Sequence, residues 1–186
     1  MRKLIVTEFI SLDGVMEAPG GEPGYPHSGW VGRLFSDELG AYKLEEQLAA
    51  DVLLLGRTTY ESFYGAWPQR EGPMAEKINT MRKVVASTTL SSSDWQDTTV
   101  VSDLNTAAGE LKQEDGGPIL VAGSRSVAQA LLDAGLVDEL NVQVFPLILG
   151  SGMRLFPERP DLIELELAAS RPLANGIVLQ TYRPVA

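Results

Sequence analysis

The chain has 186 residues, 44% hydrophobic and 22% charged, with a net charge of −10. That length suits one well-buried domain spanning 1–186, and the acidity argues against nonspecific binding to nucleic acid or an anionic membrane. The absence of cysteine excludes disulfides, thiolate catalysis and cysteine–zinc sites, His27 as the one histidine argues against a histidine-rich metal site or a serine–histidine triad, and no metal site is expected.

In chain order, Leu4 to Ile10 is apolar and β-branched apart from Thr7 and Glu8, and reads as the first strand. Arg2 and Lys3 run straight into that strand rather than into a signal peptide, and no apolar run approaches the roughly 20 residues of a membrane span. A cytoplasmic protein without membrane contact is therefore expected. Ser11-Leu12-Asp13-Gly14 signals a turn. Glu17 to Gly29 holds four glycines and three prolines with Tyr25 and His27, the composition of a long binding or lid loop. Trp30 to Ala50 reads as helical over most of its length, with Ser36 as a cap and Asp37 and Glu38 in the first turn.

Val52-Leu53-Leu54-Leu55 is a short apolar run closed by Gly56, the pattern of a strand buried on both faces. Arg57-Thr58-Thr59 then open a helix that ends near Gly65. A strand is expected over Arg82 to Leu90, ending in hydroxyl residues, and a shorter one over Thr98 to Val101. A helix over Leu104 to Gln113 stops at Gly116-Gly117-Pro118. Ile119-Leu120-Val121 is a second buried run, followed by Gly123-Ser124-Arg125-Ser126 and a helix carrying Val127, Leu131 and Leu132 to Gly135. Strand candidates then follow one another: Val137 to Leu149 interrupted by Pro146, Leu162 to Ala168, and Ile177 to Tyr182. Alternation of strands and helices up to about residue 136, then strands alone, predicts an α/β fold with a mostly parallel mixed sheet and an antiparallel C-terminal addition.

Three strand ends carry groups that suit an anion: Gly56-Arg57-Thr58-Thr59, Ser87-Thr88, and Gly123-Ser124-Arg125-Ser126. Helix starts offer free amides and a positive dipole end, and a guanidinium grips phosphate with two parallel hydrogen bonds. Ligands of open α/β sheets sit at the carboxyl ends of strands, so the three segments are expected to converge on one phosphorylated cofactor. Arg57 with Ser87 and Thr88 would hold an extra ribose phosphate, selecting NADP over NAD. The Gly-x-Gly-x-x-Gly and phosphate-loop lysine motifs are absent. Asp13, at the end of the first strand beside the long loop, is the candidate acid, although Asp-Gly is also a common turn pair.

The segments Ser11-Leu12-Asp13-Gly14, Leu55 to Glu61, Lys83 to Leu90, Val121 to Ser124, Leu132 to Leu140, and Phe145 to Phe156 follow in an order that resembles the dihydrofolate reductase-like superfamily. The likeness is to stand-alone relatives of the reductase domain of riboflavin biosynthesis. The resemblance implies a central, mostly parallel sheet flanked by helices, and an NADPH-dependent reductase passing hydride to a heteroaromatic, imine or carbonyl compound. It implies Gly56, Arg57, Thr58 and Thr59, with Gly123, Ser124, Arg125, Ser126 and Val127, at the pyrophosphate, and Ser87 and Thr88 near the adenosine phosphate. Asp13 and Tyr60 are the candidate substrate contacts, and a homodimer is expected. Arg125 stands where glycine is frequent, and Val15-Met16-Glu17 replaces a basic residue common in riboflavin reductases. Among substrates, riboflavin-pathway reduction ranks above folate reduction; a nucleotide-binding homologue without catalysis is the other class.

Overall fold

The computed structural model describes residues 1–156, 158 and 162–185. Its strands are β1 (Leu4–Ser11), β2 (Val52–Gly56), β3 (Arg82–Ala86), β4 (Thr98–Val101), β5 (Ile119–Ala122), β6 (Glu139–Phe145), β7 (Leu165–Pro172) and β8 (Val178–Pro184). Its helices are α1 (Asp37–Ala49), α2 (Arg57–Ala66), α3 (Pro73–Thr80), α4 (Leu104–Gln113) and α5 (Arg125–Asp133). The strands form one sheet in the order β4-β3-β2-β5-β1-β6-β8-β7. Pairing is parallel from β4 through β6, and antiparallel where β8 joins β6 and β7 joins β8. The expected α/β architecture with C-terminal antiparallel strands is present.

Alternation along the strands sorts side chains to the two faces of the sheet. Val52 and Leu54 pack with Val6, Ile10, Val121, Ala108 and Leu111 of α4, and Val127 and Leu131 of α5. Leu53 and Leu55 pack the other way, with Tyr60 of α2, Ile78 of α3 and Trp95. Helices α2 and α5 therefore leave neighbouring strands toward opposite faces of the sheet. The amide of Leu39 is capped by Ser36 at 3.3 Å and that of Thr106 by Asp103 at 3.0 Å, which sets the starts of α1 and α4. Helix α5 ends in a Schellman turn: Gly135, at φ +65°, and Leu136 donate to Leu132 and Leu131.

Several boundaries differ from the sequence expectation. The predicted helix over 30–50 divides into a 3-10 turn at Trp30–Arg33 and α1. Strand β3 stops at Ala86 instead of Leu90, because Ser87 Oγ accepts the amides of Thr89 and Leu90 and turns the chain out of the ladder. Strand β7 begins at Leu165, three residues later than expected, and carries a register shift between Leu167 and Ala169. Helix α3 has no counterpart in the sequence reading. Its signal is Gly72-Pro73, with proline in the first turn. Its carboxyl end is held by Lys83, a fully buried lysine whose ammonium donates to the carbonyls of Ile78, Asn79 and Met81 at 3.1, 3.0 and 2.7 Å.

Candidate functional site

The two glycine-headed strand-to-helix junctions lie side by side, because β2 and β5 are adjacent. They are tied together directly: the Gly56 amide donates to Ser124 Oγ at 2.8 Å. At both glycines a side chain would press on a neighbouring methyl group. A Cβ on Gly56 would lie 3.1 Å from Val127 Cγ2, and one on Gly123 would lie 3.1 Å from Thr59 Cγ2. Gly123 also sits at φ +75°, and Ser124 follows it at φ +70°, a conformation that costs a non-glycine residue about 1 kcal/mol or more. The sequence-predicted residues Gly56, Thr59, Gly123, Ser124 and Val127 are thus brought into one cluster.

Neither junction helix has a side-chain cap, in contrast to α1 and α4. The first amides of α2 and α5 point off the carboxyl edge of the sheet at a topological switch point, and Arg57 and Thr58 are exposed beside them. Close-packed glycines and two uncapped helix starts suit a pyrophosphate. The Arg57 guanidinium reaches Thr89 Oγ1 at 2.9 Å and Glu61 at 3.6 Å, and Thr89 Oγ1 lies 3.4 Å from Ser87 Oγ. Arg57 and the Ser87-Thr88-Thr89 turn therefore form an adjoining arm. Thr89 was not singled out in the sequence; the turn that stops β3 is what brings it to Arg57. Ser126 is exposed and Arg125 half-buried in the first turn of α5.

Asp13 lies elsewhere on this edge, and its geometry is that of an anchor. Its carboxylate accepts Ser11 Oγ at 2.6 Å and the amides of Leu149 and Gly150 at 3.1 and 2.8 Å. Burial pushes its pKa up, but the Ser11 hydroxyl and those two amides outweigh it and hold the group at about 2. Such a carboxylate stays ionised and does not deliver protons near neutrality. Tyr60 is 4% exposed, packed by Trp95 and Tyr64, and its hydroxyl is paired with Ser93 Oγ at 2.6 Å. It is part of the core behind α2.

The long loop from Glu17 to Gly29 is fastened to the body at its aromatic residues. Tyr25, buried, donates to the Ser151 carbonyl at 2.6 Å, Trp30 Nε1 donates to the Glu17 carbonyl at 2.8 Å, and Glu17 in turn accepts the Met153 amide at 2.7 Å. The group that pattern reading passed over is Glu8. It is 3% exposed in the middle of β1, and its Oε1 has no hydrogen-bond partner. The available signal was a carboxylate inside an otherwise apolar strand. Among the described residues no cluster of metal-ligating side chains occurs, and no helix is long and apolar enough to cross a membrane.

Residues 2–179 match the family of the RibD C-terminal domain. The chain belongs to that family. Members of the RibD C-terminal family are reductase-like and generally NAD(P)H-dependent. The Bacillus subtilis (strain 168) protein YyaP, uncharacterized, is 26% identical over 186 residues, covering 97% of this chain and 94% of YyaP. YwjB of the same organism, also uncharacterized, is 26% identical over 182 residues and 98% of each chain. The fold is shared with a Shewanella sp. PV-4 protein named for riboflavin biosynthesis, at TM-score 0.77, 21% identity and 99% coverage of both chains. It is shared also with a pyrimidine reductase-like protein from Corynebacterium diphtheriae, at TM-score 0.69 and 15% identity, covering 100% of this chain and 92% of that one.

Proposed function

We propose that this protein is an NADPH-dependent reductase of a small heteroaromatic, imine or carbonyl compound, of the pyrimidine-reductase type found in riboflavin biosynthesis. The observation that carries this reading is the bond between the two junctions, Gly56 amide to Ser124 Oγ, which sets two uncapped helix starts side by side. The amides at the starts of α2 and α5 would hold the pyrophosphate, with Gly56 and Gly123 allowing the close approach. Arg57, Ser87, Thr88 and Thr89 would receive the ribose phosphate that distinguishes NADPH from NADH. When bound, the nicotinamide supplies hydride to an electron-poor carbon; the chain's own part is to bind, orient and exclude water.

Calorimetric titration with NADPH and separately with NADH tests the reading. Micromolar NADPH binding with clearly weaker NADH is expected, and no binding of either would remove it. Arg57→Ala should weaken NADPH by roughly 1.5–3 kcal/mol, the worth of a charge-assisted hydrogen bond, while leaving NADH affinity nearly unchanged. Equal losses for both would move Arg57 away from the ribose phosphate.

A second reading, nucleotide binding without turnover, is favoured by one finding: Asp13 is committed to the 149–150 amides and Tyr60 to the core. NADPH oxidation assayed with pterin, pyrimidine and quinone acceptors separates the two. A homodimer is proposed as the working assembly; the exposed edge strand β7 gives it a surface, and sedimentation measures it.

A further inference from the structure

Side chains alternate along β1, so Val6, Glu8 and Ile10 share the face covered by α5, and Thr7 and Phe9 share the face of α1. Glu8 is therefore walled in. Its strand lies between β5 and β6, with Thr7 beside Ala122 and Glu8 beside Val142. One residue past Ala122 the chain enters the Gly123–Ser124 turn, two successive residues at positive φ, and the Gly123 amide acts on the Glu8 carboxyl in the sense that favours its charged form. Its Oε1 is buried without any partner. A nearly inaccessible carboxyl with an unpaired buried oxygen is expensive as an anion and much cheaper as a neutral acid.

The same turn feeds the uncapped start of α5. A neutral acid beneath it is compatible with an anion above it, and a carboxylate there opposes that anion. We propose that Glu8 is a positioning residue of the candidate cofactor site, supporting the Gly123–Ser124 turn as a neutral acid so that the α5 amides receive a diphosphate, and hindering that diphosphate once ionised. The inference rests on the NADPH reading above, and it adds a proton-linked control to it.

The charges around Glu8 agree. Burial is the largest influence and raises its pKa to about 8; Lys43 of α1 and the Gly123 amide lower it, and Glu46 of α1 raises it. Helix α5 carries Arg125 in its first turn and Asp133 at its end, and the β5 and β6 neighbours Ala122 and Val142 do not titrate. Lys83, whose pKa burial lowers to about 8, titrates in the same window and remains in every variant used here.

The test is NADPH titration of the full chain by calorimetry from about pH 7 to 9.5, in two buffers of different ionisation enthalpy. This range is above the phosphate pKa of about 6. Wild type is expected to take up protons on binding NADPH near pH 8, and to lose affinity about tenfold per pH unit above the ionisation of Glu8, since only the neutral fraction binds. Glu8→Gln, permanently neutral, should show neither effect and keep its affinity at high pH. Carboxyl carbon NMR of the wild type, with and without NADPH, reads the same linkage without any variant: the titration of Glu8 should move to higher pH in the complex. NADPH binding that is independent of pH, or equally dependent in Glu8→Gln, or an unmoved Glu8 titration, overturns the proposal and leaves the cofactor reading standing. Absence of NADPH binding at every pH overturns both.

Discussion

Thr7 and Glu8 are adjacent residues of one strand, both nearly inaccessible, yet their surroundings are opposite in kind. Thr7 Oγ1 sits in a closed polar network. Lys43 donates to it at 2.6 Å and to Glu46 at 2.6 Å, Thr7 itself reaches Glu46 at 2.9 Å, and Gln143 and Tyr42 complete the set from β6 and α1. Asn141 joins Glu46 to Thr181 of β8 at 2.8 Å on each side. Every ion there has a counter-ion and hydrogen bonds, so the network reads as architecture locking α1 to the sheet. Glu8, one residue on, has a buried oxygen without a hydrogen-bond partner. A buried polar group left unsatisfied calls for an explanation; Arg2 Nε is another, but its guanidinium is paired with Asp51 and Glu114, whereas Glu8 has no ion-pair partner among the described residues.

The largest effect that would break the comparison comes from the satisfied side. Glu46→Ala strands the Lys43 ammonium, which is 17% exposed, and should cost about 3–5 kcal/mol in urea unfolding. Replacing the pair together, Lys43→Met with Glu46→Leu, should recover most of it. A loss under about 1 kcal/mol for Glu46→Ala would mean that the network is not what fastens α1.

Next is Glu8 itself, read through stability. Its folded pKa of about 8 lies above the unfolded carboxyl value, so the protonated group's contribution is complete below about pH 4 and is lost progressively as pH rises to about 8. Glu8→Gln has no such loss. Relative to wild type it should gain about 3 kcal/mol between pH 5 and pH 8, at no more than about 1.4 kcal/mol per unit. Parallel stability curves would show that Glu8 ionises freely in the fold.

Asp13 supplies the smallest effect, with the opposite sign. Its folded pKa of about 2 lies below the unfolded value, so its contribution is present above about pH 4 and disappears as pH falls through 2. Asp13→Asn should cost about 1 kcal/mol at neutral pH, a modest figure because the group is only half-buried and solvent screens it. The difference from wild type should close in acid. NADPH oxidation that survives in Asp13→Asn would confirm an anchor in place of an acid.

The strands that position the site were legible because their patterns are local. Val52 to Gly56 and Ile119 to Val121 are continuous apolar runs ending at small residues, and both became central strands. The glycine junctions were legible for the same reason. Helix α3 was missed because eight residues with Ala75 and Ile78 as their buried side chains carry little periodicity; what holds the helix is Lys83, which arrives from the following strand. Asp13 stands out by its place at a strand end and Tyr60 only through the family resemblance; the atoms that occupy them, the 149–150 amides and Ser93, come from segments far along the chain.

By itself the sequence determined the alternation of strand and helix, the burial of β2 and β5, and the two glycine-headed helix starts, because hydrophobic period and backbone permissiveness act over a few residues. Only the tertiary structure decided which polar groups are spent and which are left over. Satisfaction of a hydrogen bond depends on atoms that meet across the sheet, Gly56 with Ser124, Asp13 with Gly150, and Glu8 with nothing at Oε1.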